Sequence, residues 1–127
     1  MRYQGKIIGI DHIEDIAEWS CQNLYSLFGP DYSQFVQIHN FDGRKGFLEE
    51  APYDIIHVGA ASATIPNDLV DQLSKNGRMM IPVGPENGSQ YITIVDKDDK
   101  GNVDITETLE VRYVPLTSRE IQLSSNI

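Results

Sequence analysis

KIIGIDHIEDIAEW, residues 6–19, sets two periods side by side. Ile7, Ile8 and Ile10 make a short apolar run that predicts a buried strand over residues 6–10. From Ile13 the spacing changes. Ile13, Ile16, Ala17, Ser20, Leu24, Leu27 and Phe28 fall on one helical face, which predicts a helix over residues 13–28 that Gly29-Pro30 stops. Between strand and helix stands an acid, Asp11. At the carboxyl end of a parallel strand a carboxylate can accept hydrogen bonds from the two hydroxyls of a ribose. Such an acid ordinarily works with a glycine-rich loop one strand earlier, about 20 residues upstream. Only five residues precede Lys6. Asp11 reads equally well as a helix N-cap, and the two roles are compatible.

The same alternation continues outward. Residues 35–39 predict a short strand, 40–52 a loop rich in glycine and charge, and 53–58 a further strand. Pro66 is expected in the first turn of a helix that turns Leu69, Val70 and Leu73 inward and ends at Asn76-Gly77. Residues 78–83 predict the next strand. After Gly84-Pro85 the period becomes two: residues 91–95 and 103–114 alternate around the turn Asp99-Lys100-Gly101-Asn102, which predicts an antiparallel hairpin. The expected fold class is therefore α/β, mostly parallel with a C-terminal antiparallel β-hairpin. Repeats, low-complexity segments and linkers are absent, so residues 1–127 read as one domain.

The chain has 127 residues, with 40% hydrophobic and 23% charged, an ordinary globular composition. Ten basic against nineteen acidic residues give a net charge of −9, which argues against nucleic acid or an anionic membrane as partner. The mixed run Asp96-Lys97-Asp98-Asp99-Lys100 reads as a solvated hairpin tip. One cysteine, Cys21, allows no internal disulfide. With no signal-like N-terminus and no apolar run of membrane length, the expectation is a soluble, cytoplasmic protein.

Few residues carry chemistry. Asp42-Gly43, just past a strand end, suits an adenine amino group approached closely by backbone, or else a simple Asp-Gly turn. Gly59-Ala60-Ala61 leaves room for a ligand over the sheet, or packs strand on helix. His12, His39 and His57 lack metal spacing. Asp54 and His57, three apart on a strand, face opposite ways. Ser62 has no nucleophile elbow around it. No catalytic acid, base, nucleophile or metal ligand set emerges. That excludes many hydrolases but leaves group transfer from an activated donor.

The segments IIGIDHI (7–13), DGRKGFLEEAPYDIIHVGAA (42–61), IPNDLVDQL (65–73), GRMMIPVGP (77–85) and VRYVPLTSREIQ (111–122) together resemble the protein-L-isoaspartate O-methyltransferases. The resemblance implies a Rossmann-like class I methyltransferase sheet. It implies S-adenosylmethionine as methyl donor, with S-adenosylhomocysteine as product. It also implies methylation of the free carboxyl of isoaspartyl residues in damaged proteins and peptides, a repair reaction. Carried onto this chain, it places Asp11 and His12 at the cofactor ribose and Asp42 and Gly43 at the adenine. Thr117 and Gln122 would close over the cofactor, and Val114, Pro115 and Leu116 would pair with the substrate backbone. It implies a monomer.

The same resemblance implies a first strand with its glycine-rich loop, N-terminal helices and a substrate-side Ser/Thr hydroxyl, none of which this sequence contains. Phe41 also stands where the family commonly has glycine. The fold is thus expected truncated at its N-terminus, and activity of the chain alone is expected to be low. The strands at 6–10 and 53–58 would either expose apolar edges, a route to association, or close up and pair directly. Two competing readings are a non-catalytic interaction protein of the same fold, and a dinucleotide dehydrogenase domain, which explains Asp11 but not the YVPLT segment or the hairpin.

Overall fold

The computed structural model describes residues 5–124. In chain order it has β1 (Ile7–Asp11), α1 (Glu14–Phe28), β2 (Val36–Asn40), β3 (Tyr53–His57), α2 (Asn67–Asp71), β4 (Leu73–Val83), β5 (Gln90–Lys97), β6 (Val103–Val111) and α3 (Arg119–Ser124). The chain divides into two compact units. One holds the residues up to Gly43 together with those from Ser118 on; the other is Arg44–Thr117.

In the first unit β1 and β2 lie parallel, in register from Ile7 with Val36 to Asp11 with Asn40. Two parallel neighbours need a crossover, and α1 supplies it. The helix buries Ala17 and half-buries Ser20, Cys21 and Leu24. The rest of the expected apolar face is not covered: Leu27 is 76% exposed and Phe28 58%. Helical spacing identifies a face, but burial needs a neighbour along its whole length. Phe28 makes one further contact, edge-to-face with Phe35 at 6.3 Å between ring centres.

The second unit is a four-stranded sheet in the order β3-β4-β5-β6. β3 and β4 are parallel, while β4–β5 and β5–β6 are antiparallel. Its core is Leu69, Leu73, Met79, Ile81 and Val95, with Ile56, Val58, Ile65, Val70 and Val83 packed around it. The alternation along β4 builds this core: Met79 and Ile81 are fully buried, while Arg78 ahead of them and Met80 between them point outward. β6 is the edge strand, exposed along most of its length, and Asp104, Glu107 and Glu110 sit on it. Charge on an edge strand discourages pairing with another chain. The tip between β5 and β6 is tied by Asp98, whose Oδ1 accepts the Lys100 and Asn102 amides, both at 2.8 Å. Its Oδ2 accepts from Asn102 Nδ2 at 3.0 Å.

Four expectations need correction. The helix after Ile65 is shorter than its spacing suggests: Pro66 is its N-cap, and it ends at Asp71 rather than at Asn76-Gly77. The cause is β3, because Tyr53 N donates to the Gln72 carbonyl at 2.7 Å and Tyr53 pairs with Leu73, so the chain is captured as strand at once. The register then shifts, Ile55 meeting Arg78, and the extra residues bulge with Asn76 at φ 62°. The second strand runs one residue later than expected, to Asn40. The last strand stops at Val111, three residues early, because the following residues take other partners. Finally, β1 is not the buried strand that its apolar run suggests; it pairs with β2, and β3 pairs with β4, and Ile7 and Ile55 stay 60% and 76% exposed, which is the exposed-edge outcome of the two expected for these strands. No helix among the described residues is long and apolar enough to cross a membrane.

Two outcomes follow from this packing. Ile81→Ala, at a position with no exposure, should cost roughly 2–5 kcal/mol in urea unfolding. Leu109→Ala, 71% exposed, should stay within about 0.5 kcal/mol of the parent. Equal effects at the two positions would show that β4 is not the core strand.

Acid should act on the hairpin. The Arg78 guanidinium, hydrogen-bonded through Nε to Asp96 Oδ1 at 2.7 Å, holds the Asp96 carboxyl below its ordinary value. Donors from Asn102, then Lys100 and Gly101, do the same for Asp98. A carboxyl with a lowered pKa in the folded state stabilises the fold above its unfolded pKa. It loses that contribution as pH falls through the folded value, here below about pH 4. Both groups are solvent-exposed, so the effect is modest. The double variant Asp96→Asn, Asp98→Asn should lose less Tm between pH 5 and pH 3 than the parent, and parallel Tm curves would refute the assignment.

Candidate functional site

Asp11 ends β1 and Asn40, its register partner, ends β2. The two strand ends are laced together, Asn40 Nδ2 and Phe41 N both donating to the Asp11 carbonyl at 3.1 and 3.2 Å. The Asp11 side chain turns the other way along the chain, and its Oδ1 accepts the Ile13 amide at 2.8 Å. That bond closes a local turn ahead of α1, whose N-cap residue is Ile13 and carries no side-chain cap. Among the described residues the second oxygen, Oδ2, has no hydrogen-bond partner. Asp11 is therefore not the N-cap expected of it: one carboxylate oxygen is taken by a turn ahead of the helix, and the other is left available to a ligand.

His12 follows directly, half-buried. Its ring Nε2 donates to Gln122 Oε1, a contact between residues 110 apart in sequence. Gln122 lies in α3, which begins on Ser118: the Ser118 hydroxyl accepts the Ile121 amide at 3.2 Å, and its carbonyl accepts the Gln122 amide at 3.1 Å. Asp42 and Gly43 come two and three residues past the end of β2, both half-buried, and Gly43 opens a short 3-10 turn, Gly43–Lys45. One unit therefore brings five of the expected residues, Asp11, His12, Asp42, Gly43 and Gln122, onto the carboxyl end of a parallel strand pair and the helix that meets it. That end is where open α/β sheets receive ligands.

The other expected residues belong to Arg44–Thr117. Val114, Pro115 and Leu116 form a short extended stretch against Ala61: Ala61 N donates to the Val114 carbonyl at 2.8 Å, and Leu116 N to the Ala61 carbonyl at 2.7 Å. Ala61 is 4% exposed. Both its main-chain groups are used in this pairing, so Ala61 packs on an extended segment rather than on a helix, and neither expected reading of Gly59-Ala60-Ala61 is the one seen at Ala61. Val114 is 71% exposed and Pro115 is exposed as well. Thr117 is half-buried at the end of this unit.

Two glutamines had no signal in the sequence. Gln72, 5% exposed, accepts the Phe47 amide through Oε1 and donates through Nε2 to the Lys45 carbonyl, both at 2.9 Å. Between them Gly46 has φ +65°, and a Cβ there would collide with the Gln72 amide. Gln90, 2% exposed, accepts the Tyr113 amide through Oε1 at 2.7 Å. Its Nε2 reaches the Pro85 carbonyl at 3.3 Å and the Tyr113 carbonyl at 3.4 Å. In a strand of alternating residues, a glutamine looks like an outward position. Only loops that turn back over the sheet make it inward. Among the described residues no group of three or more His, Cys, Asp or Glu is arranged to hold a metal ion.

With this geometry in view, similarity to known proteins is informative. The family model described as protein-L-isoaspartate(D-aspartate) O-methyltransferase (PCMT) matches residues 1–121. Protein-L-isoaspartate O-methyltransferase 1 of Arabidopsis thaliana is 45% identical over 122 residues, covering 94% of this chain and 52% of that protein. The Caenorhabditis elegans protein-L-isoaspartate O-methyltransferase is 43% identical over 123 residues, covering 96% and 54%. A Plasmodium falciparum structure described as a beta-aspartate methyltransferase (PCMT) in complex with S-adenosyl-L-homocysteine superposes with a TM-score of 0.74. It has 25% identity and covers 88% of this chain and 52% of that one. The chain thus spans about half the length of these relatives.

Proposed function

The chain belongs to the protein-L-isoaspartate(D-aspartate) O-methyltransferase family, and from that premise we propose that it provides the ribose, adenine and substrate-backbone contacts of a protein carboxyl methyltransferase. The methyl donor is S-adenosylmethionine, and the acceptor is the free carboxylate of an L-isoaspartyl residue in a damaged protein or peptide. The observation that carries this reading is the divided carboxylate of Asp11. One oxygen is held by the Ile13 amide at 2.8 Å, which fixes the orientation of the group at the end of β1. The other is left for a hydroxyl donor, the chemistry a ribose edge offers. His12, fixed by Gln122, stands beside it. Asp42 and Gly43 supply an acceptor and a residue without a Cβ at the neighbouring strand end.

The residues fit a reaction that needs no protein base. A carboxylate with a pKa of about 4 is already ionised at pH 7, so the substrate brings its own nucleophile. When bound, S-adenosylmethionine supplies a methyl group on a positive sulfur: the carboxylate oxygen forms the new C–O bond as the C–S bond breaks and its electron pair returns to sulfur. What remains for the chain is placement. In the first unit Asp11, His12 and Gln122 would orient the donor side and Asp42 and Gly43 the adenine; in the second, Val114, Pro115 and Leu116 would pair with the peptide. Holding donor and acceptor in line at about 3 Å can remove roughly 7–11 kcal/mol of barrier.

A second reading is a non-catalytic interaction protein of the same fold. The exposed Ile7 on β1 and Ile55 on β3 favour it, because strand residues of that size ordinarily find a partner.

Thermal unfolding with S-adenosylhomocysteine separates the two. A ligand at 100 times its dissociation constant adds about 2.7 kcal/mol, several degrees for a domain of this size. The parent chain should show that rise. Asp11→Asn keeps an oxygen for the Ile13 amide, so its ligand-free Tm should stay within about 2 °C of the parent. It replaces the second acceptor with a donor, so the ligand-induced rise should shrink by more than half. A parent chain whose Tm ignores the ligand would leave only the interaction reading standing.

A further inference from the structure

Gln90 opens β5, and its main chain is in register with Val111, the last residue of β6. Beyond that pair the ladder between the two strands has run out. The Gln90 side chain continues it. Its amide carbonyl accepts from Tyr113 N at 2.7 Å and its amide NH2 donates to the Tyr113 carbonyl at 3.4 Å, so one buried side chain serves both main-chain groups of Tyr113. The same NH2 reaches the Pro85 carbonyl at 3.3 Å, which ties the 84–89 turn to this point. A next residue of a neighbouring strand would bond Tyr113 in much the same way.

Immediately afterwards the chain changes neighbour. The Val114 carbonyl and the Leu116 amide both go to Ala61. In an extended chain, alternate residues direct their main-chain groups to opposite edges. The groups of Val114 and Leu116 face Ala61, so those of Tyr113 and Pro115 lie along the other edge. On that edge Tyr113 is occupied by Gln90. Pro115 has no N–H to offer. Among the described residues no hydrogen bond reaches the carbonyl of the exposed Pro115, so the edge presents it as an acceptor.

We propose that Gln90 is a positioning residue for the peptide substrate: by occupying Tyr113 it leaves the Pro115 carbonyl as the acceptor for a peptide N–H, and so sets the register in which an isoaspartyl-bearing strand docks. The inference rests on the reading of Val114–Leu116 as the substrate-backbone segment. A strand added to a short edge takes its affinity from main-chain bonds and its register from whichever groups the edge leaves open. Gln90 does not touch the substrate. It decides which groups the substrate finds.

The test is a fluorescence-anisotropy titration of a fluorescein-labelled six-residue peptide with a central L-isoaspartyl residue. The parent chain is compared with Gln90→Met and Gln90→Glu at pH 7 and pH 5. Methionine keeps the volume but frees both groups of Tyr113, and should weaken binding about tenfold or more at both pH values. The carboxylate introduced by Gln90→Glu still accepts from Tyr113 N but cannot donate, so at pH 7 this variant should bind as weakly as the Met variant. Burial raises a carboxyl pKa, so at pH 5 the protonated acid again donates to a carbonyl. Its affinity relative to the parent should then recover severalfold, and the Met variant should show no such recovery. A packing role alone would leave Gln90→Met, which keeps the volume, at the parent's affinity at both pH values. If Gln90→Met loses cooperative unfolding, the pH comparison within Gln90→Glu decides alone. A parent that binds the peptide while Gln90→Met stays within twofold of it, or Gln90→Glu that keeps the same ratio to the parent at both pH values, overturns the role of Gln90 and leaves the proposed function intact. A parent that does not bind the peptide overturns both.

Discussion

β4 has to satisfy a parallel neighbour on one edge and an antiparallel neighbour on the other, and most of the larger unit is a consequence of how it does so. The parallel partner β3 requires a crossover, and α2 with Ile65 and Pro66 ahead of it is a short one. The antiparallel partner β5 needs only the turn over residues 84–89. With both edges occupied, the one face of β4 that carries Met79 and Ile81 is sealed by Val95 from β5, by Leu69 from the crossover and by Leu73 at the start of β4 itself. The short crossover also leaves its mark at Tyr53. The Gln72 carbonyl that would have carried α2 forward is taken by Tyr53 N at 2.7 Å, and the surplus length is absorbed in the bulge at Asn76-Gly77.

Much of this was legible because the physical signals were local. Residues 53–58 and 91–95 show strand periods undisturbed by glycine or proline, residues 6–10 keep their apolar run around Gly9, and each forms a strand close to those bounds. The turn at Asp99-Lys100-Gly101-Asn102 is encoded in its own side chains, with Asp98 collecting the amides and Gly101 taking φ 85°. The signals that misled were those settled at long range. Leu69, Val70 and Leu73 keep helical spacing through the helix end, yet Leu73 is a strand residue because Tyr53 reaches it first. The helical face of α1 was marked correctly by spacing. Whether Leu27 and Phe28 are covered is a property of what stands opposite, which spacing does not encode.

The same division separates the candidate residues. Asp11 and Asp42 could be singled out because a strand end is a place the sequence marks, and an acid at such a place has a short menu of roles. The contact of His12 with Gln122 spans most of the chain, and only motif resemblance anticipated that both residues would matter. Gln72 and Gln90 gave no warning at all. Each is a single uncharged amide whose value lies in having a donor and an acceptor on one short stem, which lets it close a loop onto a strand without burying a charge. Lysine or glutamate at either place would offer only half of that chemistry.

This distribution of roles suits a reaction in which the substrate carries the nucleophile. The groups whose protonation folding shifts, Tyr32, Tyr53, Arg78, Asp96 and Asp98, are bound up with turn, loop and hairpin structure. The residues singled out for ligands are acceptors, donors and open main-chain edges. Nothing in such a site has to gain or lose a proton during turnover, so its performance depends on distance and direction. A displacement of about 1 Å can cost on the order of a hundredfold in rate when positioning supplies the catalysis. That is why buried amides that never reach the ligand belong to the functional account. On the proposed reading, Gln90 occupies Tyr113 just as the Ile13 amide occupies one oxygen of Asp11, and in both cases hydrogen bonding within the chain would determine which polar group is left for a ligand.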